Sequence, residues 1–246
     1  MMPPPLMDCH LHCASHGGPA QWRSAGVTGG IVASVTAADW ENVLQCCAGE
    51  SDIFLPALGI HPWHAAEADA GTLEALEAVL RSNGQALVGE TGLDYVPSVQ
   101  MPHAIQEEAF LRQAELAVKY DRPAILHFRG RWDRTLEMLG QVGPLRGVIH
   151  CFSGSAEVAE RIIRETALDI SIGPSILKPE AGKLRRAVSI LPLERIFTDS
   201  DYPYQNLTPP ECGRIVCAVA AIRNITYEEC ADRIAENWRR LIRTGS

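Results

Sequence analysis

The chain has 246 residues, 46% hydrophobic and 21% charged, which is enough apolar side chain for one large core and fits a soluble globular protein. No run approaches the length of a membrane-spanning helix, and the proline-rich segment Met1–Leu6 lacks the basic and apolar regions of a signal peptide, so a cytoplasmic protein is expected. A net charge of −8 excludes a broad basic face for gripping nucleic acid, but cations held by site carboxylates would still allow a small phosphate-binding mouth.

In chain order, the first predicted strand is Leu6–Leu11, within which Asp8-Cys9-His10-Leu11-His12 begins. Strand side chains alternate between faces, so His10 and His12 point the same way. Seven further apolar runs follow, at 30–35, 53–60, 86–89, 124–127, 147–151, 168–172 and 195–198. Most are nearly continuous in apolar residues, the pattern of parallel strands covered on both faces. Between them, amphipathic spacing predicts helices at 39–47, 72–82, 104–120, 131–139, 156–166, 180–190 and 210–221. Near the end, Thr226 and Glu229 form a capping-box pattern that opens a helix over 227–242. Eight strands alternating with helices predict an α/β fold, a TIM (β/α)8-type barrel forming a single domain over 1–246. An open doubly wound sheet is the alternative, but no Gly-x-Gly-x-x-Gly follows the first strand.

The chemistry-bearing residues fall at the ends of these strands. His10 and His12 follow the first, His61 the third, Glu90 the fourth, His127 the fifth, His150 the sixth and Asp201 the eighth. In a barrel these ends gather around one mouth. Imidazoles and carboxylates collected there suit one or two divalent ions. Arg129, two residues beyond His127, shares its face and can reach a phosphate oxygen or form an ion pair at the rim. The eight cysteines show no Cys-x-x-Cys spacing and are expected to be buried, reduced thiols.

Together, Asp8-Cys9-His10-Leu11-His12, Gly59-Ile60-His61-Pro62, Gly89-Glu90-Thr91-Gly92-Leu93-Asp94-Tyr95, His127-Phe128-Arg129, His150-Cys151-Phe152-Ser153-Gly154 and Asp199-Ser200-Asp201-Tyr202-Pro203-Tyr204 resemble the TatD family of metal-dependent hydrolases, often described as TatD-type deoxyribonucleases. The terminal Ala235-Glu236-Asn237-Trp238-Arg239-Arg240-Leu241 is similar to that family's closing helix. The resemblance implies two divalent metal ions (Zn, Mg or Mn), with His10, His12, Glu90 and Asp201 on one and Glu90 bridging to a second held by His127 and His150. It implies Glu90 and Asp201 as catalytic groups, Arg129 and His61 as substrate contacts, and DNA or another phosphodiester as substrate. No membrane and no obligate protein partner are implied. The sequence departs from the family in two places. His127-Phe128-Arg129-Gly130-Arg131 stands where many relatives have His-Ser-Arg-Glu-Ala, and Gln205-Asn206-Leu207-Thr208-Pro209-Pro210 replaces a basic segment that shapes the substrate mouth. Two rival readings remain: an amidohydrolase-like enzyme opening a cyclic amide, lactone or ester, and a metal-binding scaffold without activity. Many amidohydrolase barrels bridge their metals with a modified lysine after strand four, where this chain has Glu90.

Overall fold

The computed structural model describes residues 4–13, 18–49, 53–204 and 211–243. The divergent segment 205–210 lies outside the described residues. Eight parallel strands follow one another around a single sheet in sequence order: β1 (Leu6–Leu11), β2 (Val27–Ala33), β3 (Phe54–Leu58), β4 (Leu87–Asp94), β5 (Ala124–Arg129), β6 (Arg146–His150), β7 (Ala167–Ile172) and β8 (Ile196–Thr198). This is the expected barrel. Nearly every strand residue is buried, because the interior packs on one face and helices cover the other. The sheet closes just beyond β8, where the Asp201 amide donates to the His10 carbonyl at 3.1 Å and the His12 amide to the Tyr202 carbonyl at 2.9 Å. The bonds that join the last strand to the first thus set Asp201 beside His10 and His12.

The helices are α1 (Pro19–Ser24), α2 (Trp40–Cys47), α3 (Ala70–Ser82), α4 (His103–Lys119), α5 (Trp132–Leu139), α6 (Ala156–Glu165), α7 (Gly182–Ile190), α8 (Glu211–Arg223) and α9 (Tyr227–Ile242). A 3-10 turn, Pro62–Glu67, follows β3. The capping box at α9 forms as expected, with Thr226 Oγ1 accepting from the Glu229 amide at 3.1 Å and the Glu229 carboxylate from the Thr226 amide at 2.9 Å. Two glutamines anchor α4 to the barrel from inside the core. Gln113 Oε1 accepts from the Ile60 amide at 2.7 Å, and Gln106 Oε1 accepts from the Asp94 amide at 2.8 Å. Each bond fixes backbone next to a candidate site residue. Among the described residues, no helix is long and apolar enough to cross a membrane.

Some expectations need correction. β4 runs on to Asp94 and β5 to Arg129, so Glu90 and His127 lie within their strands rather than at the ends. Gly89 and Gly92, both with φ near +147°, permit the β4 backbone to continue where the apolar pattern breaks (φ 146° and 147°). β2 begins at Val27 and ends at Ala33, earlier than the apolar run suggests. The cysteines are not all reduced. Cys13, just past β1, and Cys46 on α2 form a disulfide across 33 residues, since β2 lies against β1 and delivers α2 to that rim. Nor are all the others buried: Cys217 is exposed and Cys151 partly so.

Candidate metal centre

Five buried side chains, His10 on β1, His12 just past it, His127 on β5, His150 on β6 and Asp201 after β8, meet around the buried Glu90 of β4. Its Oε2 lies 3.2 Å from His10 Nε2 and 3.6 Å from His12 Nε2. Its Oε1 faces the other way, 2.9 Å from His127 Nδ1 and 2.7 Å from His150 Nε2. Asp201 Oδ1 completes the first group, 3.6 Å from His12 Nε2 and 3.8 Å from His10 Nε2. Asp201 has a left-handed backbone (φ 52°), uncommon outside glycine and favoured at sites where the surrounding structure fixes a side chain's direction.

The donors fit divalent cations. Bonds of 2.0–2.2 Å place neighbouring donors about 3.0–3.5 Å apart around a four- or six-coordinate ion. His10 Nε2 and His12 Nε2 are 2.9 Å apart, and His127 Nδ1 and His150 Nε2 are 3.2 Å apart. Their partners fix two of the tautomers. His12 Nδ1 lies 3.0 Å from the Ala33 carbonyl, an acceptor only, so Nδ1 carries the proton and Nε2 turns a lone pair to the cup. His127 Nε2 lies 3.2 Å from Asp94 Oδ2, which leaves the Nδ1 lone pair for the cup. His10 and His150 are held by stacking, their rings 3.9 Å apart and 15° from parallel.

His61 behaves differently. Its Nδ1 accepts from the Trp63 amide at 3.1 Å, so in the neutral ring Nε2 carries the proton. That Nε2 is 3.4 Å from Glu90 Oε1 and 3.2 Å from His127 Nδ1. The structure therefore brings His61 into the cup as a hydrogen-bond donor. Burial lowers its pKa to about 3, keeping the ring neutral.

The electrostatics match a cup prepared for positive charge. Burial alone would raise the Glu90 carboxyl, but the neighbouring His150 and His10 hold it well below the usual range. Burial alone would lower His150, but Glu90 outweighs it and raises the imidazole to about 9. Burial likewise opposes ionisation of Asp201, which His12 and His10 nevertheless bring to about 2. Asp94, also near 2 despite burial, is held there first by His127 and then by Trp63, whose Nε1 donates at 2.9 Å. Asp94 thus fixes His127 from outside the cup. Replacing Asp94 with Asn is expected to lower metal affinity and turnover by about 10- to 100-fold, the usual cost of losing a partner that orients a ligating histidine. Metal titration of the variant checks this.

The mouth of the cup, about 530 Å³, is lined further by Trp63, His64, Arg129, Ser153, Ser175, Lys178 and Tyr204. Arg129 is half-exposed and 3.6 Å from Asp94 Oδ2, so it makes a rim contact and also faces the mouth. Lys178 sits at the mouth after β7. Trp63 was not among the predicted site residues, and only its closeness to His61 in sequence hinted at it. An imidazole–thiol–carboxylate group, His150, Cys151 and Asp199, lies beneath the rim. There Asp199 is already engaged by the Cys151 amide at 3.0 Å and by the Ser171 hydroxyl.

A parallel eight-stranded barrel with a histidine–carboxylate cup at the C-terminal ends of its strands is the architecture of a metal-dependent hydrolase. A family model described as TatD related DNase matches residues 7–243, and the chain belongs to this family. It is 30% identical over 206 residues to the uncharacterized metal-dependent hydrolase YabD of Bacillus subtilis, covering 79% of each chain. It is 29% identical over 238 residues to a 3'-5' ssDNA/RNA exonuclease TatD of Pantoea vagans, covering 90% of each. The crystal structure of YjjV, a TatD homolog from Escherichia coli, superposes with a TM-score of 0.84 at 27% identity, covering 96% of this chain and 97% of that one. A dihydroorotase, at 15% identity and a TM-score of 0.67, shares the fold.

Proposed function

We propose that this metal-dependent hydrolase is a single-domain phosphodiesterase acting on DNA through a pair of divalent ions, with Glu90 between them. The observation that carries this reading is the opposed direction of the two Glu90 oxygens, one toward His10 and His12, the other toward His127 and His150. His10, His12, Glu90 and Asp201 would hold one ion; Glu90, His127 and His150 would hold the second. When bound, two such ions lower the pKa of a water to near neutrality and neutralise the oxygens of a phosphodiester. Asp201, ionised and at the edge of the cup, orients the attacking water and accepts its proton. His61, whose Nε2 proton lies in the cup, would donate to a phosphate oxygen bound there, and Arg129 and Lys178 supply the positive charge that faces the substrate at the mouth. The nuclease names carried by relatives such as the Pantoea vagans protein support this substrate class. The amidohydrolase reading has only the shared fold in its favour.

A substrate panel run after metal reconstitution tests the reading. Single-stranded DNA and bis(p-nitrophenyl) phosphate are expected to be hydrolysed, and dihydroorotate and simple lactones left intact. The reverse pattern would overturn it. Removing metal with a chelator is expected to abolish turnover, and Zn, Mg or Mn to restore it.

Metal binding is expected to depend on pH in a definite direction. His150 is raised to about 9 in the metal-free protein, so it is protonated at pH 7 and a cation must displace that proton. Affinity therefore rises by about tenfold per pH unit for each proton released and levels off above about pH 9. Calorimetry in buffers of different ionisation enthalpy reads the proton directly.

A further inference from the structure

We propose that the Trp63 indole is a stacking platform for an unpaired nucleobase next to the scissile phosphate, so that the enzyme selects single-stranded nucleic acid. This rests on the nuclease reading above. Among the described residues, Trp63 and Tyr204 are the only large aromatic side chains classed as exposed, at 51% and 64%, and both line the mouth of the cup. Trp22, Trp40 and Trp238, by contrast, are buried in the core. Exposing an indole forgoes its hydrophobic stabilisation, so its position at the mouth calls for a ligand.

The ring is exposed without being loose. Its Nε1 donates to Asp94 Oδ2 at 2.9 Å, and it meets His61 edge-on, with centroids 4.8 Å apart at 83°. These contacts fix the plane of the indole, so stacking on it costs little ordering. Its centroid is 6.4 Å from that of His127, within reach of a nucleotide whose phosphate occupies the cup.

Trp63 also borders a second hollow, of about 480 Å³, formed by Ser98, Val99, Gln100, Met101 and Pro102. Charge divides the two hollows. Arg129 and Lys178 belong to the cup, where a phosphate would lie, whereas the outer hollow contains no charged side chain. An uncharged planar ring with polar edges suits that lining: Val99, Met101 and Pro102 offer apolar contact, and Ser98 and Gln100 offer hydrogen bonds. A base inside a duplex has both faces covered by its neighbours and cannot reach the indole, whereas an unpaired base can.

Trp63 also touches Asp94, so a test must separate stacking from disturbance of His127. The substrate is a short single-stranded oligonucleotide, compared with versions in which one base at a time near the cleaved bond is replaced by tetrahydrofuran. With the wild-type enzyme, removal of the base at one position is expected to lower kcat/KM by about tenfold or more, mostly through KM. In Trp63→Leu the same removal should change kcat/KM by less than about twofold, while Trp63→Phe, which keeps a ring, should retain most of the penalty. Any effect that acts through Asp94 falls equally on intact and base-free strands and cancels in this comparison. Two results would overturn the platform while leaving the nuclease intact: no sensitive position in the wild type, or an undiminished penalty in Trp63→Leu. Failure of the metal-loaded wild type to cleave any oligonucleotide would instead remove the nuclease reading, and the platform with it.

Discussion

Glu90→Gln is expected to reduce metal affinity and turnover by more than about 100-fold, beyond the 10- to 100-fold range typical of residues that only orient a ligand. The amide preserves the shape of the side chain but removes its charge and replaces one of its two acceptor oxygens with a donor. His10 and His12 on one side and His127 and His150 on the other would then surround a group that cannot serve both. The substitution also removes the charge that raises His150, so the His150 imidazole is expected to fall from about 9 toward or below its ordinary value. Elemental analysis after reconstitution, turnover on bis(p-nitrophenyl) phosphate and an NMR titration of His150 read these three effects separately. Full metal content with unchanged turnover would show that Glu90 does not join the two groups.

Gly92→Ala is expected to destabilise the fold by about 3–5 kcal/mol and lower Tm by about 10 °C or more. Gly92 has φ 147°, a conformation closed to L side chains, and an added Cβ would lie 2.0 Å from the His127 carbonyl oxygen. Neither backbone has room to retreat, because β4 and β5 are paired through this position, Gly92 opposite His127. Relief would move His127 away from Glu90, so loss of metal affinity should accompany loss of stability. Calorimetry with and without bound metal measures both, and a Tm within about 2 °C of the wild type would contradict the close approach.

The barrel was legible wherever apolar continuity and helical spacing agree. β1 (Leu6–Leu11) and α9 (Tyr227–Ile242) fall where the sequence places them, the first opened by the apolar Leu6-Met7 and the second by its capping box. β4 was legible only in part. The apolar run ends at Gly89, but in the fold the strand continues through Glu-Thr-Gly to Asp94, with glycines at 89 and 92, which is how Glu90 reaches the middle of the cup. α1 escaped notice because six residues carry too little periodicity to register.

The candidate site was legible as a set of residues and much less so as a set of roles. Barrel topology alone gathers His10, His12, Glu90, His127, His150 and Asp201. The proton position on His61 depends on the Trp63 amide, and the clamp on His127 depends on Asp94, and neither contact follows from spacing. Lys178 and Trp63 reach the mouth through the paths of the loops after β7 and β3. The Cys13–Cys46 disulfide follows no motif, because strand adjacency rather than sequence spacing brings the two residues together.

The most direct test of the central claim is anomalous diffraction from crystals of the protein grown with Zn or Mn. Two peaks about 3.5–4 Å apart are expected, one against each Glu90 oxygen. The first should touch His10, His12 and Asp201, and the second His127 and His150. No peak in the cup, or a single peak that leaves one Glu90 oxygen without metal at saturating concentration, would contradict the account.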